Sequence, residues 1–298
     1  MSEIVAFVGF GEAGGILGEE LARRGCTVRA WDILLASPAD RERLLERCRR
    51  AGVAPATSLA DAVDGAALVI SAVTASAAHD VARDAGAVLR AGQTFIDINS
   101  VSPDAKRANA ALVKARGAAY VEAAVMAPVP PLRLAVPMLL GGATAAALSP
   151  RLNALGLDTR AVAERVGVAS AIKMCRSVMV KGIEALTVEC LFAARRYGAE
   201  DAVIASLAAS FRGMGWDGDR PDYWISRVAE HGRRRAAEMR EVAQTVQAAG
   251  MVPTMSTATA ERQDALIDAM AAAGLDYDAL AREGFSWRRL ADALAGGR

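Results

Sequence analysis

Histidine is scarce in this chain. Only His79 and His231 occur in 298 residues. A histidine-based metal centre would have to draw both from distant parts of the sequence, so chemistry without a metal is expected. Cysteine is almost as sparse. Cys26, Cys48, Cys175 and Cys190 contain no C-x-x-C pair, and four in a chain this long do not make a disulfide scaffold. Reduced thiols in a cytoplasmic protein are expected. Neither sign of charge dominates, with 35 basic against 34 acidic residues and a net charge of +1. That balance points to neither nucleic acid nor an anionic membrane surface as a partner. Long apolar runs are missing as well. No basic segment precedes the first one, Ile4 to Val8, which is too short for a signal peptide. The stretch from Val121 to Leu140 is broken by Pro128, Pro130, Pro131, Arg133 and Pro137, which speaks against a transmembrane helix.

What the chain does have is apolar material. Hydrophobic residues make up 53% of it, enough for one large core or two moderate ones, and the length favours two domains. Short β-type runs alternate with helical segments through the first half. Ile4–Val8, Thr27–Trp31, Ala67–Val73, Thr94–Ile98, Tyr120–Val125 and Pro137–Leu140 are the strand candidates. A helix from near Gly11 and two that open on proline, Pro38–Arg50 and Pro103–Ala115, lie between them. This alternation predicts a parallel, doubly wound α/β sheet of Rossmann type. After about residue 158 the β-rich runs cease. No proline occurs from Ala161 to Tyr197, which as one helix would span about 55 Å. Further helices are expected over Glu200–Phe211, Tyr223–Ala249, Ser256–Ala273 and Trp287–Leu294. The expected layout is an α/β domain over 1–164 and an all-helical domain over 165–298, entered by a long interdomain helix.

The chemistry begins at Gly9-Phe10-Gly11-Glu12-Ala13-Gly14, a G-x-G-x-x-G. Its context is complete: a strand before it, a helix after it, and a second strand ending in Asp32. Gly9 permits the tight turn, Gly11 lets the backbone approach a pyrophosphate, and Gly14 lets helix and strand pack closely. The phosphates of NAD or NADP would then sit at a helix N-terminus. Asp32 offers a carboxylate to both ribose hydroxyls and repels a 2′-phosphate, and Ile33, not an arginine, follows it. NAD is therefore favoured, while Arg29 and Arg41 keep NADP within reach. The alternative role for Asp32 is a cap or turn residue after the strand. Val73 and Thr74, at the end of the third β-type run, complete the cofactor candidates.

With these residues in view the chain resembles the β-hydroxyacid dehydrogenases, the superfamily of phosphogluconate and hydroxyisobutyrate dehydrogenases. Asp97-Ile98-Asn99-Ser100-Val101-Ser102-Pro103 is similar to that family's D-x-S-T-x-x-P substrate loop. Gly167-Val168-Ala169-Ser170-Ala171-Ile172-Lys173 resembles the G-x-x-x-x-x-K that opens its interdomain helix and carries its catalytic lysine. Met126-Ala-Pro-Val-Pro-Pro, Lys173-Met-Cys-Arg-Ser and His231-Gly-Arg-Arg-Arg resemble a poorly characterised branch with its own C-terminal domain type. Better-known members carry Ser-Gly-Gly where Met126-Ala127-Pro128 stands here, and Asn where Ser177 stands, so substrate anchoring differs.

The resemblance implies that Lys173 is the general base in oxidation and the acid in reduction. Such a base works best with a pKa near the working pH, and burial or a nearby cation brings a lysine down from about 10.4. Arg176, Ser177 and Glu184 share the helix face of Lys173, and Lys181 lies to one side as a surface or interface charge. For Lys173 the competing role is an ordinary surface lysine. For Arg176 it is an ion pair, with Glu184 as one partner, against carboxylate binding, and for Ser177 it is packing. Ser102-Pro103 reads as helix cap then first turn, and the resemblance to the family's substrate loop implies that Asn99 and Ser100 meet substrate or nicotinamide. His231 sits among Arg233, Arg234 and Arg235, arginines that read as a solvated face. It is a substrate-binding candidate or a structural histidine. The function expected is an NAD(P)-dependent oxidoreductase acting on a small 3-hydroxy acid, converting it to the keto acid. An imine reductase and a non-catalytic NAD(H) sensor are the alternatives. A homodimer is expected from the alanine-rich helical half and from the family's habit.

Overall fold

The computed structural model describes residues 3–295. They form two compact units, one up to Lys173 and one from Met174.

The first unit runs β1 (Ile4–Val8), α1 (Glu12–Arg23), β2 (Thr27–Trp31), α2 (Pro38–Ala51), β3 (Ala54–Pro55), α3 (Leu59–Val63), β4 (Leu68–Ser71) and α4 (Ala78–Val88). It continues with β5 (Thr94–Asp97), α5 (Pro103–Lys114), β6 (Ala119–Val125), α6 (Val129–Leu132), β7 (Pro137–Gly141), α7 (Ala145–Ala154) and β8 (Asp158–Ala163). The strands make one sheet in the order β3-β2-β1-β4-β5-β6-β7-β8. Alternate residues of β1 feed opposite faces. Val5 and Phe7 pack with Leu17, Leu21 and Leu44, whereas Ala6 and Val8 pack with Val63, Ala82, Ala85 and Val113. Burial on both faces explains why the strand reads as an unbroken apolar run. On α1, Gly14, Leu17, Gly18 and Leu21 are buried, the i, i+3, i+4, i+7 stripe of a helix lying on a sheet.

Two expectations need correction. The sheet is not wholly parallel, because β7 runs antiparallel to β6. The connection between them holds only the four-residue α6 and a short 3-10 turn, too little for a parallel crossover. Strands also do not end near 158. Asp158–Ala163 pairs with β7 as an edge strand, and the long helix α8 (Val168–Arg196) starts seven residues later than its proline-free stretch allowed. Its 29 residues span about 43 Å. The compact units divide at Lys173/Met174, nine residues past the expected boundary.

Glu122 fixes the start of α8. It sits fully buried on β6 and caps α8 from across the sheet. Its Oε1 accepts from the Gly167 and Ala169 N–H groups at 2.6 and 3.0 Å, and its Oε2 accepts from Ser170 N–H at 3.2 Å. A carboxylate at the positive end of a helix offsets its own desolvation, and three orphan donors gain a charged acceptor. Ala169 packs beside Ala124 and Leu139 on the same strands.

The second unit is helical throughout its described residues. After the remainder of α8 come α9 (Glu200–Ser210), α10 (Arg220–Ala248), α11 (Thr254–Ala272), α12 (Tyr277–Arg282) and α13 (Trp287–Ala295). Val188, Leu191, Ile225, Val228, Leu266, Met270, Trp287 and Leu290 form its main core, and Met174, Ala236, Met239, Val242 and Ala260 a smaller one. Among the described residues no helix is long and apolar enough to cross a membrane.

Replacing Glu122 by Ala strands three helix-end N–H groups and is expected to cost about 3 kcal/mol or more in urea unfolding. Glu122→Gln retains an acceptor oxygen and is expected to lose less than half of that. Equal losses from the two variants would show that the cap is not the source.

Candidate active site

The order of the sheet reverses at β1, with β2 on one side and β4 on the other. Ligands of open α/β sheets bind in the crevice at such a point, outside the carboxyl ends of the strands. Three loops meet there. Gly9 follows β1 with φ +89°, and a Cβ on it would lie 2.5 Å from Ala72 O and 2.6 Å from Val73 Cγ1. The Gly loop is thus seated on the loop that leaves β4. A Cβ on Gly14 would strike the Gly9 carbonyl oxygen. Gly11, by contrast, faces open space and caps α1 with no side-chain hydrogen bond. Glu12 and Ala13 begin that helix, and Phe10 is buried edge-on to Phe7 at 6.2 Å. Uncapped N–H groups at an open helix end suit a pyrophosphate, so the residues present fit a dinucleotide.

Asp32 holds both of the roles weighed for it within reach. Its Oδ2 accepts from Phe10 N–H at 2.7 Å and its Oδ1 from Leu34 N–H at 3.0 Å, so it caps a 3-10 turn and ties the Gly loop to β2. Each oxygen keeps a further lone pair for a ribose hydroxyl. Arg29 donates to Asp64 O at 2.8 Å and Arg41 to Leu35 O at 3.0 Å. A third arginine, Arg47, donates to Phe10 O at 3.1 Å.

Asn99 does something the sequence did not reveal. Its Oδ1 accepts from Val73 N–H at 2.7 Å and its Nδ2 donates to Ser71 Oγ at 2.9 Å, so the amide joins the loops after β4 and β5. Thr74, next along, is exposed, and Ser100 is half-buried. Ser102 caps α5, accepting from Ala105 N–H at 3.4 Å.

Behind Asn99 lies a buried polar cluster that sequence reasoning missed. Lys106 Nζ lies 2.8 Å from Asp97 Oδ1 and donates to Asp97 O at 2.8 Å. Asp97 Oδ1 also accepts from Asn99 N–H at 3.0 Å, and its Oδ2 accepts from the Tyr120 hydroxyl at 2.7 Å. Burial, reinforced by the Asp97 charge, pushes the Tyr120 hydroxyl well above its usual range. The one signal available was a lysine at i+3 from Pro103, on the face of α5 that also buries Asn109, Ala110 and Val113.

Lys173 is half-buried on the second turn of α8, within the compact unit that carries the Gly loop. Cys175 and Arg176 are exposed, and Ser177 is buried. Lys181 is not a surface charge. It is buried, and its Nζ lies 2.5 Å from Glu238 Oε2. Burial lowers its pKa, against the pull of Glu238. The ion-pair partner of Glu184 is Arg235, which is buried and not on a solvated face. Burial raises the Glu184 pKa, and Arg235 opposes that. These four charges tie α8 to α10. Their burial follows from the spacing of Met174, Ser177, Lys181, Glu184, Val188 and Leu191, a seven-residue pattern that turns one face of α8 inward. His231 is half-buried on α10, 3.3 Å from Glu230, with its pKa lowered by burial and then by Arg234 and Arg227.

The fold and crevice define a dinucleotide-binding protein of Rossmann type. Comparison with known proteins agrees. Residues 4–156 match the family described as the NAD binding domain of 6-phosphogluconate dehydrogenase, and residues 194–266 match a domain family of unknown function, DUF1932. A conserved hypothetical protein from Sinorhizobium meliloti 1021 is 38% identical, covering 99% of this chain and 96% of that one, with a TM-score of 0.79. A conserved protein of unknown function, described as structurally similar to 3-hydroxyacid dehydrogenases, is 34% identical over 89% of this chain and 97% of its own, with a TM-score of 0.72. The 3-hydroxyisobutyrate dehydrogenase of Mycobacterium tuberculosis shares the fold, with a TM-score of 0.74 at 19% identity and 99% of each chain covered. The chain belongs to the 6-phosphogluconate dehydrogenase-like NAD-binding family, and its fold is that of the 3-hydroxyacid dehydrogenases. Such a fold supports an oxidoreductase with a nicotinamide cofactor.

A Gly14→Val variant drives a side chain into the Gly9 carbonyl at the floor of the crevice. NADH affinity, followed by fluorescence titration, is expected to fall at least 100-fold. Binding at wild-type strength would remove this loop from the cofactor site.

Proposed function

We propose that this protein is an NAD(P)-dependent oxidoreductase acting on a small 3-hydroxy acid, with Lys173 as general acid and base. The observation that carries this reading is the fastening of α8. Glu122 bonds its first turn to the sheet that bears the Gly loop, and Lys173 follows about one turn later. A bound nicotinamide supplies a hydride acceptor. Lys173, half-buried, takes the hydroxyl proton as the carbinol carbon is oxidised and returns it on reduction. Gly9, Phe10, Gly11, Glu12, Ala13 and Gly14 would hold the pyrophosphate, Asp32 the ribose, and Val73 and Thr74 the far half of the cofactor. The Asp32 carboxylate favours NAD, with NADP as the weaker ligand. Arg29 and Arg41 are committed to backbone carbonyls, which supports that order.

Ser100 is the substrate candidate of the first unit, with Asn99 setting its loop, and Arg176, Ser177 and His231 are the candidates of the second. The carboxylate anchor is not the familiar one. Met126 packs against Ala124, Leu139 and Ala169, where relatives carry a small serine. The exposed guanidinium of Arg176 is then the anchor this reading favours. The four cysteines are free, in keeping with a cytoplasmic setting. The partner expected is a second copy of the chain. Met179 and Leu186 on α8, with Tyr197 just past its end, leave an exposed apolar stripe. A groove of about 710 Å³ lined by Val188, Phe192, Leu266 and Leu294 adjoins it.

With a panel of 3-hydroxy acids and NAD, absorbance at the NADH band is expected to rise. A Lys173→Ala variant is expected to bind NADH normally and turn over at least 100-fold more slowly. Full turnover by that variant overturns the mechanism. Reduction of cyclic imines but of no keto acid would favour an imine reductase, and tight NADH binding without any turnover a sensor. For the assembly, Met179→Glu with Leu186→Glu is expected to convert a dimer into a monomer by light scattering. An unchanged mass would place the interface elsewhere.

A further inference from the structure

We propose that Lys106 and Asp97, buried beneath the crevice and outside it, are positioning residues for the nicotinamide half of the cofactor site. The inference rests on cofactor binding in the crevice and needs no particular substrate.

The argument follows a chain of contacts. Lys106 is 1% exposed and Asp97 is fully buried. A buried lysine is costly to desolvate and is retained only with strong partners. Here both partners belong to one residue. The ammonium grips the Asp97 carboxylate and its backbone carbonyl, at 2.8 Å each. That double grip fixes the last residue of β5, where the Ile98–Val101 loop departs. The same Asp97 oxygen that meets Lys106 accepts from Asn99 N–H at 3.0 Å, so the turn into the loop is fixed too. Asn99 then passes the constraint across to β4 by its bonds to Ser71 Oγ and Val73 N–H. Val73, with Ala72, leaves no room for a Cβ on Gly9. One lysine thus anchors a series that reaches the loops after β5 and β4 and ends against the Gly loop.

The far side of Asp97 is closed as well. Tyr120 donates to Oδ2 at 2.7 Å, and Asn109 Nδ2 lies 3.4 Å from the same atom. The carboxylate therefore has no slack in either direction.

The series acts on one side of the crevice only. Asp32 and the ribose it would hold lie on the β2 side of the switch point, and the loops after β4 and β5 lie on the other. A dinucleotide straddles that point, so its nicotinamide half falls to the loops that Lys106 sets. Loss of the anchor should weaken that half and spare the adenine half.

The variants are Lys106→Met and the pair Lys106→Met with Asp97→Asn. The single change leaves a buried carboxylate without its cation and is expected to lower the melting temperature. The pair removes both charges together and is expected to stay folded. Titration with NADH and with AMP then divides the two halves of the site. In the folded double variant NADH affinity is expected to fall at least 10-fold while AMP affinity stays within twofold of wild type. NADH binding within twofold of wild type overturns the proposal. So does an AMP loss equal to the NADH loss, which is what general loosening of the domain would produce. Neither assay involves turnover, so the result is independent of whether Lys173 catalyses oxidation of a 3-hydroxy acid.

Discussion

A single buried carboxylate decides where the long helix begins and how it is turned. Glu122 lies in the middle of a strand otherwise made of Ala, Val and Tyr, and an isolated charge there would be prohibitive. Three N–H groups at the mouth of α8 stabilise it, and the helix end in turn gains a charged cap. The arrangement fixes more than the starting point. Ala169 is bonded to Glu122 through its N–H and packed on β6 and β7 through its methyl, so the rotation of the first turn is set. Lys173, four residues on, inherits that rotation. The sheet thus orders the backbone at Lys173 in advance of any ligand.

The neighbouring strand repeats the device. Asp97 on β5 is the register partner of Glu122 on β6. Both are buried acids, and each fastens a different piece of the site to the same sheet. Glu122 holds the helix that carries Lys173. Asp97, clamped by Lys106, holds the loop that carries Asn99 and Ser100. The sheet is therefore more than a support for the Gly loop. Its centre contains two fixed charges, each of which turns local backbone geometry into the placement of a side chain some residues away.

Much of this was legible in the residues. The β-α-β unit from Ile4 to Asp32 follows from local rules, because glycines at fixed offsets and a short apolar strand need no tertiary context. Lys173 entered as a candidate through resemblance, and the capping role of Asp32 was legible from its place at the end of a strand. What escaped was decided at a distance. The strand Asp158–Ala163 is short, and its pairing with β7 outweighs the alanines that made it look helical. The antiparallel turn from β6 to β7 depends on the length of a connection, which periodicity does not report. Lys181 and Arg235 looked like surface charges because lysine and arginine usually are, and Lys106 drew no reading at all. Lys181 and Arg235 are buried because carboxylates on another helix face them, and Lys106 because Asp97, nine residues back at the end of a strand, does. Asn99 escaped for a related reason. The motif around it is read in its family as a substrate loop, whereas its amide here is committed to Ser71 and Val73.

Those commitments bear on what the site can recognise. In the family the loop resembles, small residues hold the substrate carboxylate at the position of Met126-Ala127-Pro128. Met126 instead packs with Ala169 under the first turn of α8, adding bulk where relatives leave room. Ser177, standing where they carry asparagine, is buried and offers one hydroxyl in place of an amide. Both residues offer less polar reach than those the family carries at these positions. The anchor proposed above, Arg176, is exposed on the same helix one turn from Lys173. A guanidinium on a flexible stem reaches farther than a serine and binds a carboxylate through two parallel bonds.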